Sequence, residues 1–193
     1  MCIRDSLNRI IKEIIEPTIN ELNKRNIDYR GVIYFGLMIT KSGPKVIEYN
    51  CRFGDPECQT IMPLMDQNFV FLLEKCSMGS LNGDEKINTS NKVSGCVIAT
   101  SKGYPHEYKT GYQIKIGEVE SNDCQIFDSG TSFSESGKLL TDGGRVLSIV
   151  CQDKDFDTVF EKAYKNLKEI HFEGIYFRND IGHQVRKNFS KEN

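Results

Sequence analysis

The 193-residue sequence has no long apolar run and no excess of charge of either sign. Its formal net charge is −2, and 38% of its residues are hydrophobic. A near-neutral charge gives no electrostatic reason to expect binding to nucleic acid or to an anionic membrane. A membrane-spanning helix would need about 20 consecutive apolar residues, and no stretch approaches that length. The composition predicts an ordinary globular chain of one or two domains.

Cysteines are present but follow no pattern typical of a metal site or a disulfide framework. The seven cysteines are scattered, and none forms a Cys-x-x-Cys pair. We therefore expect reduced thiols in a cytoplasmic protein. Cys51 and Cys58 flank the most polar stretch of the chain. Because the three histidines are distant in sequence, both cysteines are interpreted as small buried residues rather than nucleophiles.

The organisation of the chain follows from its apolar periodicity. No apolar segment follows residues 1–6, so they form no signal peptide, and we expect a non-native start there. Residues 7–80 combine helical periodicity with two apolar strands, and the polar residues 81–92 are predicted to form a linker. In 93–193, short apolar runs alternate with turns and precede one helix, which predicts a small antiparallel β-domain. The predicted fold class is α+β.

Three longer helices are predicted from periodicity and capping signals. Apolar residues recur every three or four positions from Leu7 to Arg25, and Pro17 should kink or divide this core-facing helix. A second helix is predicted from about Gln67 to Met78, with Asp66 as its N-cap. The third runs from about Phe156 to Ile170.

The stretch from Gly31 to Gln59 carries the densest cluster of polar groups. It predicts two strands joined by a turn at 41–44, where Gly43 supplies a positive φ and Pro44 cannot pair in a ladder. The second strand is predicted at Lys45 to Asn50.

Side chains alternate along this second strand, so Val46, Glu48 and Asn50 should share one face. Arg52 follows in step if the chain stays extended. Mg²⁺ prefers hard oxygen ligands and takes one or two from protein, with the rest from phosphate and water. A guanidinium binds phosphate oxygens with a planar fork. The pattern predicts Glu48 and Asn50 as metal ligands and, with Arg52, as the site of a metal–polyphosphate.

A bare Glu-x-Asn pattern is more often the solvent-exposed face of an ordinary hairpin. Here Asp55 and Glu57 follow at once, and Gly54 and Pro56 restrict the backbone between them. Asp55 and Pro56 are predicted as N-cap and first residue of a short helix. Its N-terminus, beside Arg52, would favour an anion.

The run Arg52-Phe53-Gly54-Asp55-Pro56-Glu57-Cys58-Gln59 resembles the signature of the phosphoribosylamine–glycine ligase family, the glycinamide ribonucleotide synthetases. Glu48-Tyr49-Asn50-Cys51-Arg52 is similar to the metal strand of the wider ATP-grasp superfamily. With further similarity in the second half, the resemblance covers about Leu7 to Gly182. It implies that 7–80 is the C-terminal portion of an ATP-grasp domain and that 93–193 is the family's C-terminal domain.

The resemblance implies an ATP-dependent ligase of purine biosynthesis that joins glycine to 5-phosphoribosylamine through a glycyl phosphate. ATP and Mg²⁺ (or Mn²⁺) would be bound by Glu48, Asn50 and Arg52. Arg52 and Asp55 are the implied catalytic residues: Arg52 stabilises the transferring phosphoryl group, and Asp55 orients glycine or phosphoribosylamine. Arg145 and Arg178 are weaker candidates for contact with the nucleotide or the phosphoribosyl group, since most arginines simply lie on the surface.

The sequence shows no glycine-rich loop or upstream lysine lobe to cover ATP, so we expect the chain alone to be inactive as a ligase. Two alternatives stay open: another ATP-grasp carboxylate–amine ligase, and a non-catalytic β-domain module. The Arg52–Gln59 run argues against the first, and the Glu-x-Asn-x-Arg strand argues against the second.

Overall fold

The computed structural model describes residues 3–66, 68–83, 85, 87–119 and 123–187, with side chains from Ser6 onward. The chain divides into a first unit, Met1–Gly54 with Asn68–Ile87, and a second unit, Asp55–Gln67 with Asn88–Asn193. The domain limits proposed from the sequence stay a prediction. Met1 and Cys2, from the predicted non-native start, lie outside the described residues.

The first unit opens with one helical run. It consists of α1 (Ile3–Ile10), a π-helical segment (Ile11–Ile15) and α2 (Glu16–Lys24). The change of helical geometry falls beside Pro17, where the missing N–H costs little because it lies in the first turn of α2. Within the face that was predicted to form a core, Ile14 is buried, whereas Ile11 and Ile19 are exposed.

An antiparallel hairpin follows, formed by β1 (Tyr34–Thr40) and β2 (Gly43–Asn50). Its loop is Lys41–Ser42, so Gly43 and Pro44 belong to β2 rather than to the turn. Gly43 keeps the expected positive φ, at 115°, and Pro44 pairs in register with Ile39. A two-stranded sheet has two open edges, and an edge strand tolerates a residue without an N–H.

The last helix of the first unit is α4 (Phe69–Met78), which ends at Gly79 in a left-handed conformation. Its N-cap is Asn68, whose Oδ1 accepts a hydrogen bond from a backbone N–H of the first turn at 3.4 Å. The prediction of Asp66 as the cap is wrong, because α4 begins only at Phe69. The Asp66 N–H donates to the Asn88 carbonyl within the second unit. No helix in the described part of the chain has the length and apolar character needed to cross a membrane.

The second unit contains α3 (Glu57–Ile61), a 3₁₀ turn (Met62–Leu64) and most of the strands. The strands are β3 (Val93–Ser101), β4 (Lys115–Ile116), β5 (Cys124–Asp128), β6 (Thr131–Phe133), β7 (Leu139–Thr141), β8 (Arg145–Asp153), β9 (Ile170–His171) and β10 (Ile175–Tyr176). The main sheet is antiparallel with the order β10–β3–β8–β5, and two ribbons pair β4 with β9 and β6 with β7. The predicted α+β class is confirmed.

One helix, α5 (Phe156–Leu167), packs against β3 and β8. Asp155 caps it by accepting a hydrogen bond from the Thr158 N–H at 2.9 Å. The helix ends three residues before the predicted limit, because Ile170 starts β9. The buried hydrophobic cluster of this unit includes Val97, Ala99, Val146, Leu147, Ile149, Val159, Ala163 and Leu167.

Two cysteines are joined, which corrects the prediction of reduced thiols throughout. Cys124 on β5 lies directly opposite Cys151 on β8, and the two form a disulfide. Sheet register, rather than sequence spacing, brings them together. Cys51 is also not a buried residue as predicted: it is exposed, because it follows the end of β2, while Cys58 is half-buried.

Candidate active site

The hairpin of the first unit sets the faces on which the predicted ligands lie. The register shifts so that Gly36 pairs with Glu48, while Leu37 pairs with Val46. Ile47 is therefore the extra residue of a β-bulge. Paired residues share a face and neighbours in a strand alternate, so Val46 lies on the face opposite to Glu48. The prediction that Val46 shares the face of Glu48 is wrong because of this bulge.

Glu48 and Asn50 do lie together. The Asn50 Nδ2 donates a hydrogen bond to Glu48 Oε1 at 3.1 Å. Glu48 is exposed and Asn50 is half-buried. Gly36 leaves the space that the Glu48 side chain occupies, since a Cβ at position 36 would lie 2.7 Å from Glu48 Cγ. A larger residue at position 36 would push the carboxylate away.

This pair fits a cation that takes most of its ligands from elsewhere. Among the described residues, no group of three His, Cys, Asp or Glu side chains could hold a metal by itself. Glu48 and Asn50 offer one carboxylate and one amide oxygen, which is the small set of hard ligands that Mg²⁺ uses beside phosphate and water. To bind a cation, the amide must turn its oxygen toward it instead of its nitrogen.

Arg52 lies beyond the end of β2. The strand stops at Asn50 and the chain bends at 51–52, so strand alternation does not direct the Arg52 side chain as predicted. Its Nη1 donates to the Phe53 carbonyl at 2.8 Å. The Phe53 ring in turn meets Phe69 of α4 edge to face, with centroids 5.6 Å apart. The bend and this aromatic contact place an exposed guanidinium next to the strand end.

Asp55 is not the helix cap that the sequence suggests. α3 begins at Glu57, after a cis Asp55–Pro56 peptide bond, and no side chain caps it. Instead, Gln59 Nε2 donates to Asp55 Oδ1 at 2.8 Å, and Arg145 Nη2 lies 3.3 Å from Asp55 Oδ2. Both carboxylate oxygens are therefore engaged within the second unit. α3 has only five residues, and the anion site at its N-terminus stays a prediction.

Arg145 has a protein partner that sequence reasoning did not find. It is the first residue of β8, and its Nη1 donates to the Asp55 backbone carbonyl at 3.0 Å across 90 residues of sequence. The sequence suggested contact with a nucleotide or a phosphoribosyl group. No local pattern links Arg145 to Asp55, because only the folding of the second unit brings them together.

A cavity of about 540 Å³ lies beside this ion pair in the second unit. Its lining is mainly apolar and aromatic, and includes Pro56, Val97, Tyr104 and Phe177. Cys96 also lines it. Burial raises the pKa of the Cys96 thiol to about 12, and the negative charge of Asp55 adds to this effect. The thiol is therefore protonated at neutral pH and is not an activated nucleophile.

Two family models match the chain. The model for the phosphoribosylglycinamide synthetase ATP-grasp (A) domain matches residues 1–58, and the model for the C domain of the same synthetase matches residues 94–184. Glu48, Asn50, Arg52 and Asp55 lie in the first match, and Arg145 lies in the second.

The names of curated relatives agree with these two family models. The chain is 45% identical over 178 residues to phosphoribosylamine–glycine ligase of Caldanaerobacter subterraneus, covering 92% of this chain and 42% of that protein. The Synechocystis ligase is 43% identical over 183 residues, covering 93% and 43%. The human trifunctional purine biosynthetic protein adenosine-3 is 36% identical over 179 residues, covering 92% and 18%. The chain thus spans less than half the length of these relatives.

Solved structures share the fold. The crystal structure of phosphoribosylamine–glycine ligase from Thermotoga maritima matches with a TM-score of 0.81 and 30% identity, covering 93% of this chain and 44% of that one. A biotin carboxylase from Campylobacter jejuni matches with a TM-score of 0.56 and 16% identity, covering 78% and 34%. The second likeness concerns the fold alone.

Proposed function

Because the chain belongs to the phosphoribosylglycinamide synthetase family, we propose that it is part of an ATP-dependent ligase that joins glycine to 5-phosphoribosylamine in purine biosynthesis. The observation that carries the proposal is the contact between Glu48 and Asn50 on β2. One carboxylate and one amide lie side by side in this contact, and Mg²⁺ bound to phosphates takes only one or two such ligands from protein.

In this reaction, the glycine carboxylate attacks the γ-phosphate of ATP, so that ADP leaves and glycyl phosphate forms. The amine of phosphoribosylamine then attacks the acyl carbon, forms the amide and releases phosphate. Phosphoryl transfer needs little covalent participation by the protein. It depends mainly on positioning the reactants and neutralising the charge of the phosphoryl group.

The chain's own residues take distinct roles in this scheme. Glu48 and Asn50 would hold Mg²⁺ or Mn²⁺, which when bound neutralises charge on the β- and γ-phosphates. Arg52 stabilises the charge of the transferring phosphoryl group, and Asp55 orients the amine-bearing substrate. The partners are small molecules in the cytoplasm, and the net charge of −2 favours neither nucleic acid nor a membrane surface.

The test is a chimera in which residues 7–182 of this chain replace the matching segment of the Caldanaerobacter ligase. Glu48→Ala is expected to lower kcat by about 100-fold or more without changing the melting temperature, because Glu48 is exposed. Glu74→Ala, an exposed position on α4, is the matched control and should retain full activity.

Wild-type turnover by the Glu48→Ala chimera would contradict the assigned role. ADP release stimulated by a different acid or amine, but not by glycine, would favour another ATP-grasp ligase. We further expect the 193-residue chain alone to show no glycine-dependent ADP release. Closing an active site around its substrates expels water, and the chain spans only 42% of the Caldanaerobacter protein.

A further inference from the structure

Three atoms of Asp55 are bound by two other residues of the second unit. Arg145 Nη1 donates to the Asp55 carbonyl at 3.0 Å, and Arg145 Nη2 lies 3.3 Å from Oδ2. Gln59 Nε2 donates to Oδ1 at 2.8 Å. One guanidinium thus binds both the main chain and the side chain of Asp55. Such a fork restricts the direction of a carboxylate more than a single point charge does.

The guanidinium itself projects from a rigid element. The Arg145 carbonyl accepts a hydrogen bond from the Gly130 N–H at 2.8 Å, and the next two residues, Val146 and Leu147, are fully buried. A side chain carried by a packed strand holds its partner more precisely than one carried by a loop. Arg145 therefore holds Asp55 at a defined position relative to β8.

This ion pair is too exposed to matter mainly for folding. The side chains of Arg145 and Asp55 are 39% and 44% exposed, and exposed ion pairs contribute little to the free energy of unfolding. Loss of the guanidinium should leave the second unit folded while releasing the Asp55 side chain. A positional role and a stabilising role thus predict different results.

We propose that Arg145 is a positioning residue for the ligase reaction, which holds the Asp55 carboxylate in the direction that binds the amine-bearing substrate. This inference rests on the proposed function, in which Asp55 orients glycine or phosphoribosylamine. The Arg52–Gln59 run begins in the first unit and continues in the second from Asp55. Arg145 links Asp55, the first residue of the run that belongs to the second unit, to β8.

The chimera described above tests this inference with Arg145→Met, Arg145→Lys, Asp55→Asn and the double variant. Arg145→Met should lower kcat/KM by about tenfold or more for whichever amine-bearing substrate Asp55→Asn affects. The KM for ATP and the melting temperature should not change. Arg145→Lys keeps the charge but loses the fork, so it should restore part of the loss. The double variant should match Asp55→Asn, because both changes act through one carboxylate.

Arg25→Met is the matched control, since Arg25 forms an exposed ion pair with Glu21 at 2.7 Å in the first unit; its kinetics should match the unsubstituted chimera. Unchanged kinetics in Arg145→Met, or an equal loss for every substrate with a lower melting temperature, would overturn the inference and leave the proposed function standing. An unsubstituted chimera without glycine-dependent turnover would overturn the proposed function and the inference with it.

Discussion

The two units differ in how they bury apolar residues. The second unit has a core between β3, β8 and α5, with many side chains fully buried. Among the described residues of the first unit, Ile14 is the only buried member of the hydrophobic core, and residues such as Ile47 and Val70 are 63% and 71% exposed. A lone two-stranded hairpin is marginally stable in water. The proposed metal ligands therefore lie in the unit with less stabilisation of its own.

The largest expected effect is on the free energy of unfolding, and it is tested by replacing an isoleucine in one strand of each unit. Ile149→Ala on β8, where the side chain is 0% exposed, should lower the free energy of unfolding by about 3 kcal/mol through lost burial and a cavity. Ile47→Ala on β2, at the bulge, should cost about 0.5 kcal/mol or less. Urea unfolding followed by circular dichroism measures both. Equal losses would show that the two units are not distinguished by their cores.

The disulfide should contribute almost as much, and only to the second unit. Cys124 and Cys151 are separated by 27 residues, and cross-linking a loop of this size stabilises by about 3 kcal/mol in the chain-entropy model. Reducing agent should therefore speed amide exchange in β5 and β8 but not in β1 and β2, as read by mass spectrometry. Cys76→Ser, which removes a free thiol, is the control. Unchanged exchange on reduction would contradict this expectation.

In the first unit, substitution of Gly36 is expected to affect catalytic activity rather than the free energy of unfolding. Gly36→Ala should displace the Glu48 side chain and lower kcat of the chimera by about tenfold, or ~1.4 kcal/mol in activation free energy. Gly31→Ala is the control, because a Cβ there would meet its nearest atom at an ordinary 3.4 Å. If both variants turned over equally, Gly36 would have no part in placing Glu48.

The smallest effect concerns an ion-pair cluster of the second unit. Lys162 Nζ lies 2.6 Å from Asp153 Oδ2 and 3.6 Å from Asp123 Oδ2. The hydrogen bond from Lys162 lowers the pKa of the Asp153 carboxyl below its usual 3.8, and the same bond raises the pKa of Lys162 above 10.5. Lys162→Met should cost about 1 kcal/mol or less at pH 7.

The sign of the pH dependence follows from these shifts. Asp153 stabilises the folded state above its unfolded pKa, and this contribution is lost as the pH falls through the lowered folded value. The contribution of Lys162 is present below 10.5 and is lost as the pH rises through its raised folded value. The difference in melting temperature between Lys162→Met and the original chain should therefore be largest between these limits. If this difference in melting temperature did not shrink in acid, the ion pair would be excluded as its cause. Lys154→Met is the control variant.

Local patterns predicted much of the fold and part of the candidate site. Strand alternation correctly placed Glu48 and Asn50 on one face, because residues two apart in a strand point to the same side whatever surrounds them. Helical periodicity located α5 within three residues of its end. The order of apolar runs and turns was enough to predict that the strands after residue 92 pair antiparallel.

Two errors at the candidate site concern contacts between residues distant in sequence. The bulge at Ile47 depends on how β1 pairs with β2, and it reverses the face assigned to Val46. Asp55 was interpreted as a cap from the local Asp-Pro pattern, whereas the structure pairs it with Arg145, 90 residues away. Covalent geometry determines the periodicity of side chains along a helix or strand, so the sequence alone determined most of the elements and the Glu48–Asn50 pair. Strand register and ion pairs depend on which distant segments pack together, and only the tertiary structure decided those.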